Sequence, residues 1–136
     1  MLSGRFKCEQ LSRFWDKGNK LGWCSFPYCS QQGQKGDIEH ILMTCEPLNN
    51  VRQEMLKVVH SVSLSYPHLA PIIDQYAQLN SQHFCQFILD CTSLPLVIQY
   101  RQEYGPSILD PLFKVTRKYC FSIHRTRLSL ISKIKN

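Results

Sequence analysis

The chain has 136 residues, 43% of them hydrophobic and 19% charged, and a net charge of +6. That balance excludes wholesale disorder, and the length is enough for one domain with a modest core that needs no dense set of disulfides. No run approaches the roughly 18 consecutive apolar residues of a membrane helix, and the opening "MLSGRFKCEQLSRFW" lacks the continuous apolar stretch of a secretory signal.

The expectation is therefore an intracellular protein of the nucleus or cytoplasm, not secreted and without a membrane partner. Seven cysteines (Cys8, Cys24, Cys29, Cys45, Cys85, Cys91, Cys120) make an odd number, which suits thiolate ligands in a reducing compartment better than closed disulfides.

Along the chain, Phe6, Leu11 and Trp15 are spaced like one face of a short helix, and "DKGNKLGW" breaks it with two glycines. The polar, glycine-rich "SQQGQKG" after Cys29 reads as a flexible connection. Asp37 is placed to N-cap a short helix "IEHILMTC" that contains His40. After Pro47, the residues Leu48, Val51, Met55, Val58 and Val59 recur at helical spacing and predict a longer amphipathic helix. "LAPIIDQYAQL" and "SQHFCQFILDC" predict two shorter helices, the second capped by Ser81, and the apolar "LPLVIQY" is the one segment with strand character, taken as helix or loop.

The last element is the clearest. Asp110 caps, Pro111 takes the first helical position, and no Pro or Gly follows, which predicts a helix of about 20 residues. Leu112, Val115, Tyr119, Ile123, Leu130 and Ile134 form one apolar arc, while Lys114, Arg117, Lys118 and Arg125 gather opposite with Phe121 among them. Positions 114 to 136 hold seven Lys or Arg and no acid, whereas positions 21 to 113 hold four basic and eight acidic residues. A basic terminal block on a near-neutral body points to a polyanionic partner, against the plainer reading of a solvated helix face.

Cys24, Cys29, His40 and Cys45 are spaced C-x4-C, ten residues, then H-x4-C. A structural zinc site takes four tetrahedral N or S ligands, usually as two close pairs separated by a loop. Cys24 and Cys29 flank a turn with Pro27, His40 and Cys45 stand at the start and end of one short helix, and the slack loop lets the pairs meet at a closure cost that grows slowly with length. Three thiolates and an imidazole around a dication leave a net charge of about −1, which Lys20 and Lys35 are near enough in sequence to offset. Four protein ligands leave no open position for water, so the pattern predicts one structural Zn2+ rather than a catalytic one.

The competing reading is that these cysteines are small core hydrophobes. It is adopted for Cys8, Cys85, Cys91 and Cys120, which have no histidine at ligand spacing. His60, His68 and His83 read as surface or core residues, and His124 as a helix-face residue within reach of phosphate. No G-x-S-x-G, phosphate loop or H-E-x-x-H occurs. Cys120 and His124 lie one helical turn apart without a carboxylate to orient them, so the expectation is a protein that is not an enzyme and takes no small-molecule substrate.

Three stretches, "MLSGRFKCEQLSRFW" (1–15), "GWCSFPYCSQQGQKGDIEHILMTCEPLNNVRQEML" (22–56) and "LDPLFKVTRKYCFSIHRTRLSLI" (109–131), resemble the C-terminal segment of non-LTR (LINE-type) retrotransposon reverse transcriptases. The likeness covers more than half the chain and implies a CCHC zinc-binding motif on Cys24, Cys29, His40 and Cys45. Gaps within and after the cysteine pair are longer than in the family's tightest versions, and no YxDD-type aspartate pair occurs, so the resemblance implies a transposable-element fragment without the polymerase. It further implies binding to RNA or an RNA/DNA hybrid. Lys114, Lys118 and Arg125, with Arg117 beside them, would contact phosphates, and Phe121 would either stack on a base or pack in the core.

The missing polymerase domain is a further implied partner, and Arg5, Lys7 and Arg13 would extend the basic surface if the chain ends meet. Two other functions remain open at this point, a zinc-stabilised protein–protein module and an inert retroelement fragment. The expected fold is mostly α, with a zinc-stapled N-terminal third packed with a helical C-terminal part. Its two regions are 1–60, the CCHC region with flanking helices, and 61–136, ending in the basic amphipathic helix, together forming one compact unit.

Overall fold

The computed structural model describes residues 26–33 and 37–135. The expected first helix around Phe6, Leu11 and Trp15, together with Cys8, Cys24, Lys20 and Lys35, lies outside the described residues. Among the described residues every regular element is helical and there is no strand, as the apolar periodicity predicts.

Helix α1, Pro27–Gln31, starts on a proline whose fixed φ suits a first helical position. Gly33 follows at φ 74°, the left-handed conformation that reverses the chain after a helix. Residues His40–Thr44 then form a π turn, and Glu46–Leu48 a 3-10 turn with Pro47 in its first positions. Five longer α-helices follow among the described residues, with short 3-10 turns between them: α2, Asn49–Ser65; α3, Ala70–Tyr76; α4, Phe84–Leu89; α5, Pro95–Tyr104; and α6, Asp110–Lys135.

The predicted capping by Ser81 is present in a displaced form. Its hydroxyl accepts from the His83 backbone N–H at 3.2 Å, but a tight turn intervenes and α4 begins only at Phe84. The strand-like "LPLVIQY" is helical because Pro95 sits at the first position and the burial is one-sided: Val97 is enclosed while Ile98 is 40% exposed. Gly105, at φ 88°, ends that helix with its N–H bonded to the Arg101 carbonyl at 2.9 Å.

Helix α2 packs chiefly against α6, with α3 against α2 and α4 against α6. The two long helices run antiparallel, since Val58 and Val62 meet the stretch from Asp110 to Lys118 while Pro47 meets Leu130 and Ile134. A single hydrophobic cluster runs from Phe26 to Ile123. On α6 the predicted arc is buried at Leu112, Val115, Tyr119 and Ile123, half-buried at Leu130, and exposed at Ile134. The arc fades because α6 is longer than its partner: its 26 residues span about 39 Å against about 26 Å for the 17 of α2.

Candidate metal centre

His40 is placed by local backbone chemistry. Asp37 accepts from the His40 N–H through Oδ1 at 2.8 Å, the N-cap that the sequence predicts, and its carbonyl accepts from Ile41 N–H at 3.1 Å. The turn then widens, and the Cys45 N–H bonds back to the His40 carbonyl at 2.7 Å, five residues away. At roughly 100° per residue, an ordinary α-helix would point side chains five apart about 140° from each other. Closing the turn over five residues takes up that difference and brings His40 and Cys45 to one side, which is the conformational meaning of the H-x4-C spacing.

Cys29 arrives from α1. The Cys29, His40 and Cys45 side chains are all buried, and one ligand atom from each lies within 4.8 Å of the other two. The Cys29 and Cys45 sulfurs are 3.9 Å apart. A disulfide requires about 2.05 Å, whereas two sulfurs at tetrahedral angles, each about 2.3 Å from zinc, stand about 3.8 Å apart. The histidine supplies the second test of fit. Its Nδ1 lies 3.0 Å from Thr44 Oγ1, whose hydroxyl donates to the His40 carbonyl at 3.4 Å. With its hydroxyl turned to that carbonyl, Thr44 can accept from Nδ1–H, the arrangement that leaves the Nε2 lone pair for a cation.

That Nε2 is buried and has no hydrogen-bond partner. A buried imidazole nitrogen without a partner is costly unless it ligates a cation, so the donor set fits one metal ion. Three of the four predicted ligands thus come together, and the fourth, Cys24, lies outside the described residues.

Three residues complete the site in roles that were not read from the sequence. Thr44 is the first. Arg52 is the second: it is 2% exposed, and its guanidinium donates to the carbonyls of Leu42 at 3.1 Å, Ile41 at 3.3 Å and Cys45 at 2.7 Å, with a weaker contact to Asn49 Oδ1 at 3.5 Å. It ties down the ligand-bearing turn from α2. Burial lowers its pKa, and the opposing interactions, led by Tyr119, include the sulfurs of Cys45 and Cys29. Arg52 is thus a cation that would offset thiolate charge if the two cysteines ligate a metal, the part the sequence gives to Lys20 and Lys35. Its signal is positional, because Arg52 shares the helical face of Met55, Leu56 and Val59.

Tyr119 of α6 is the third residue, donating its hydroxyl to the Leu42 carbonyl at 2.8 Å while its ring meets Phe84 edge-on at 5.7 Å. Burial raises its pKa far enough to keep it protonated as a donor.

The predicted core cysteines divide. Cys91 and Cys120 are enclosed, with the Cys120 thiol 3.7 Å from the Ile88 carbonyl, and Cys85 is half-buried. Burial, followed by the charges of Glu39 and Asp37, pushes the Cys85 thiol up to about 11.

On α6, Lys114, Lys118 and Arg125 are exposed, and Phe121 is 46% exposed rather than a core aromatic. Arg117 is half-buried and bends back to donate to the Phe113 carbonyl at 3.3 Å. His124 is held below its usual pKa by burial and then by Arg127, both of which disfavour the charged ring. Among the described residues no helix is long and apolar enough to cross a membrane. Compared with known families, curated proteins and solved structures, the chain has no match.

Proposed function

We propose that this chain is a non-catalytic module in which one structural zinc ion organises the N-terminal third and the basic face of α6 binds nucleic acid. The observation that carries the metal half is the buried His40 Nε2 without a hydrogen-bond partner beside two sulfurs 3.9 Å apart. Sulfur and imidazole ligands suit zinc, and Cys24 would supply the fourth in keeping with the C-x4-C spacing. The ion would lock α1 to the π turn, adding folding energy where the described residues form only short helical turns.

Lys114, Lys118 and Arg125, one or two turns apart around Phe121, support the nucleic-acid half with a phosphate-tracking face. The order of motifs from Cys24 to Cys45 and through α6 supports an origin in the C-terminal segment of a retrotransposon reverse transcriptase, with the element's RNA or an RNA/DNA hybrid as ligand. The test is binding of the metal-loaded chain to random-sequence RNA over a salt series. Affinity should fall with a log–log slope of about −2 if three phosphates of a single strand are contacted, and no binding at low salt would refute the nucleic-acid half.

A further inference from the structure

Between the C-terminal half of α2 and the first turns of α6 lies an open groove of about 430 Å³, within the range of small-ligand sites. Its floor is apolar, formed by Val58, Val62 and Val115, and Tyr66, Lys114 and Lys118 line it as well. Tyr66 is 42% exposed, and His68 stands edge-on to its ring at 6.1 Å and 85°, which limits the ring's orientations without covering it. Asp110, Lys114 and Lys118 follow one another at single-turn spacing along α6, so the carboxylate lies at one end and the two cations run on from it.

An apolar slot with an exposed aromatic ring takes a flat hydrophobic group. Two lysines one turn apart take anions, and a carboxylate at the far end keeps those anions to one side. Flat rings joined by regularly spaced anions are the chemistry of an unpaired nucleic-acid strand; in a duplex the bases are stacked away from such a slot. We propose that this groove seats one unpaired base against Tyr66 while Lys114 and Lys118 hold adjoining phosphates, so that the module selects single strands over duplexes. The proposal rests on the nucleic-acid reading above and narrows its ligand from RNA or an RNA/DNA hybrid to the single strand.

The test uses the full metal-loaded chain and fluorescence anisotropy with a short oligouridine, the same backbone without bases, and a blunt RNA duplex. Tyr66→Ala should weaken oligouridine binding roughly five- to one-hundred-fold, the range measured for base–aromatic stacking. Tyr66→Phe should restore it, and the baseless strand should not respond to either change. Lys114→Ala with Lys118→Ala should flatten the salt slope by about 1.4. Tyr66 is at the surface, so circular dichroism should show both variants folded.

If Tyr66→Ala leaves oligouridine binding unchanged while the lysine variant weakens it, the groove is refuted and the basic face stands. Equal affinity for duplex and single strand refutes the groove as well. No binding of any of the three at low salt refutes both.

Discussion

Replacing Arg52 isolates the contribution of the layer behind the Cys29, His40 and Cys45 cluster. The guanidinium makes its two shortest bonds to the Cys45 and Leu42 carbonyls, at 2.7 and 3.1 Å, and a bond with a charged donor contributes about 1.5–3 kcal/mol. Arg52→Met removes both, for a gross loss of about 3–6 kcal/mol, but also removes the desolvation cost of a buried cation, a relief of a few kcal/mol. The net expectation is a loss of about 1–3 kcal/mol, a sizeable part of the 5–15 kcal/mol typical of a domain, and a Tm lowered by about 4–12 °C.

Arg52→Lys separates charge from geometry. It keeps a cation near the two sulfurs but loses the fork, so metal affinity should fall less than in the Met variant while most of the stability loss remains. Thermal melts followed by circular dichroism, with zinc competition against a chromophoric chelator, measure the two quantities. An Arg52→Met protein that melts within about 2 °C of the parent, with unchanged metal affinity, would refute the account of the π turn.

Thr44→Val should leave the fold intact and weaken metal binding about 10- to 100-fold, because Nδ1–H loses the acceptor that fixes the imidazole tautomer; competition titration checks it, and an unchanged affinity would show that Thr44 does not set the tautomer. Cys8→Ser should leave metal content unchanged and Cys24→Ser should lower the affinity, read by the thiolate-to-metal absorption of the cobalt-substituted protein; the opposite pair of results would make Cys8 the fourth ligand. With its thiol pushed up to about 11, Cys85 should react with iodoacetamide near pH 8 far more slowly than an unfolded control. A raised folded pKa means that the neutral thiol is favoured in the fold, so stability does not depend on this group below the ordinary thiol pKa and falls as pH rises from there to about 11.

What could be read in the sequence was whatever local chemistry decides. Asp37 and Pro111 act within a few residues, and each marks the start of a helical element that the structure contains. Cys29, His40 and Cys45 were legible as a set because ligand spacing is itself a local pattern. The π turn was not, since the Leu42 carbonyl within it is held by Arg52 and Tyr119 from 10 and 77 residues away. Arg52 was hidden for a related reason: a charged side chain on an apolar face looks like an exception until the carbonyls it serves are in view. The "LPLVIQY" segment was ambiguous because its β-branched and aromatic residues suit either element, and Pro95 together with one-sided burial decides for helix.

The most direct test of the central claim is metal content per chain, by elemental mass spectrometry on protein purified without chelator, for the parent and for His40→Ala. One zinc per parent chain, reduced in the variant and released by a strong chelator with loss of helical signal, is the predicted result. A parent chain that carries no metal after purification in zinc-containing buffer, and whose helix content ignores the chelator, would contradict it.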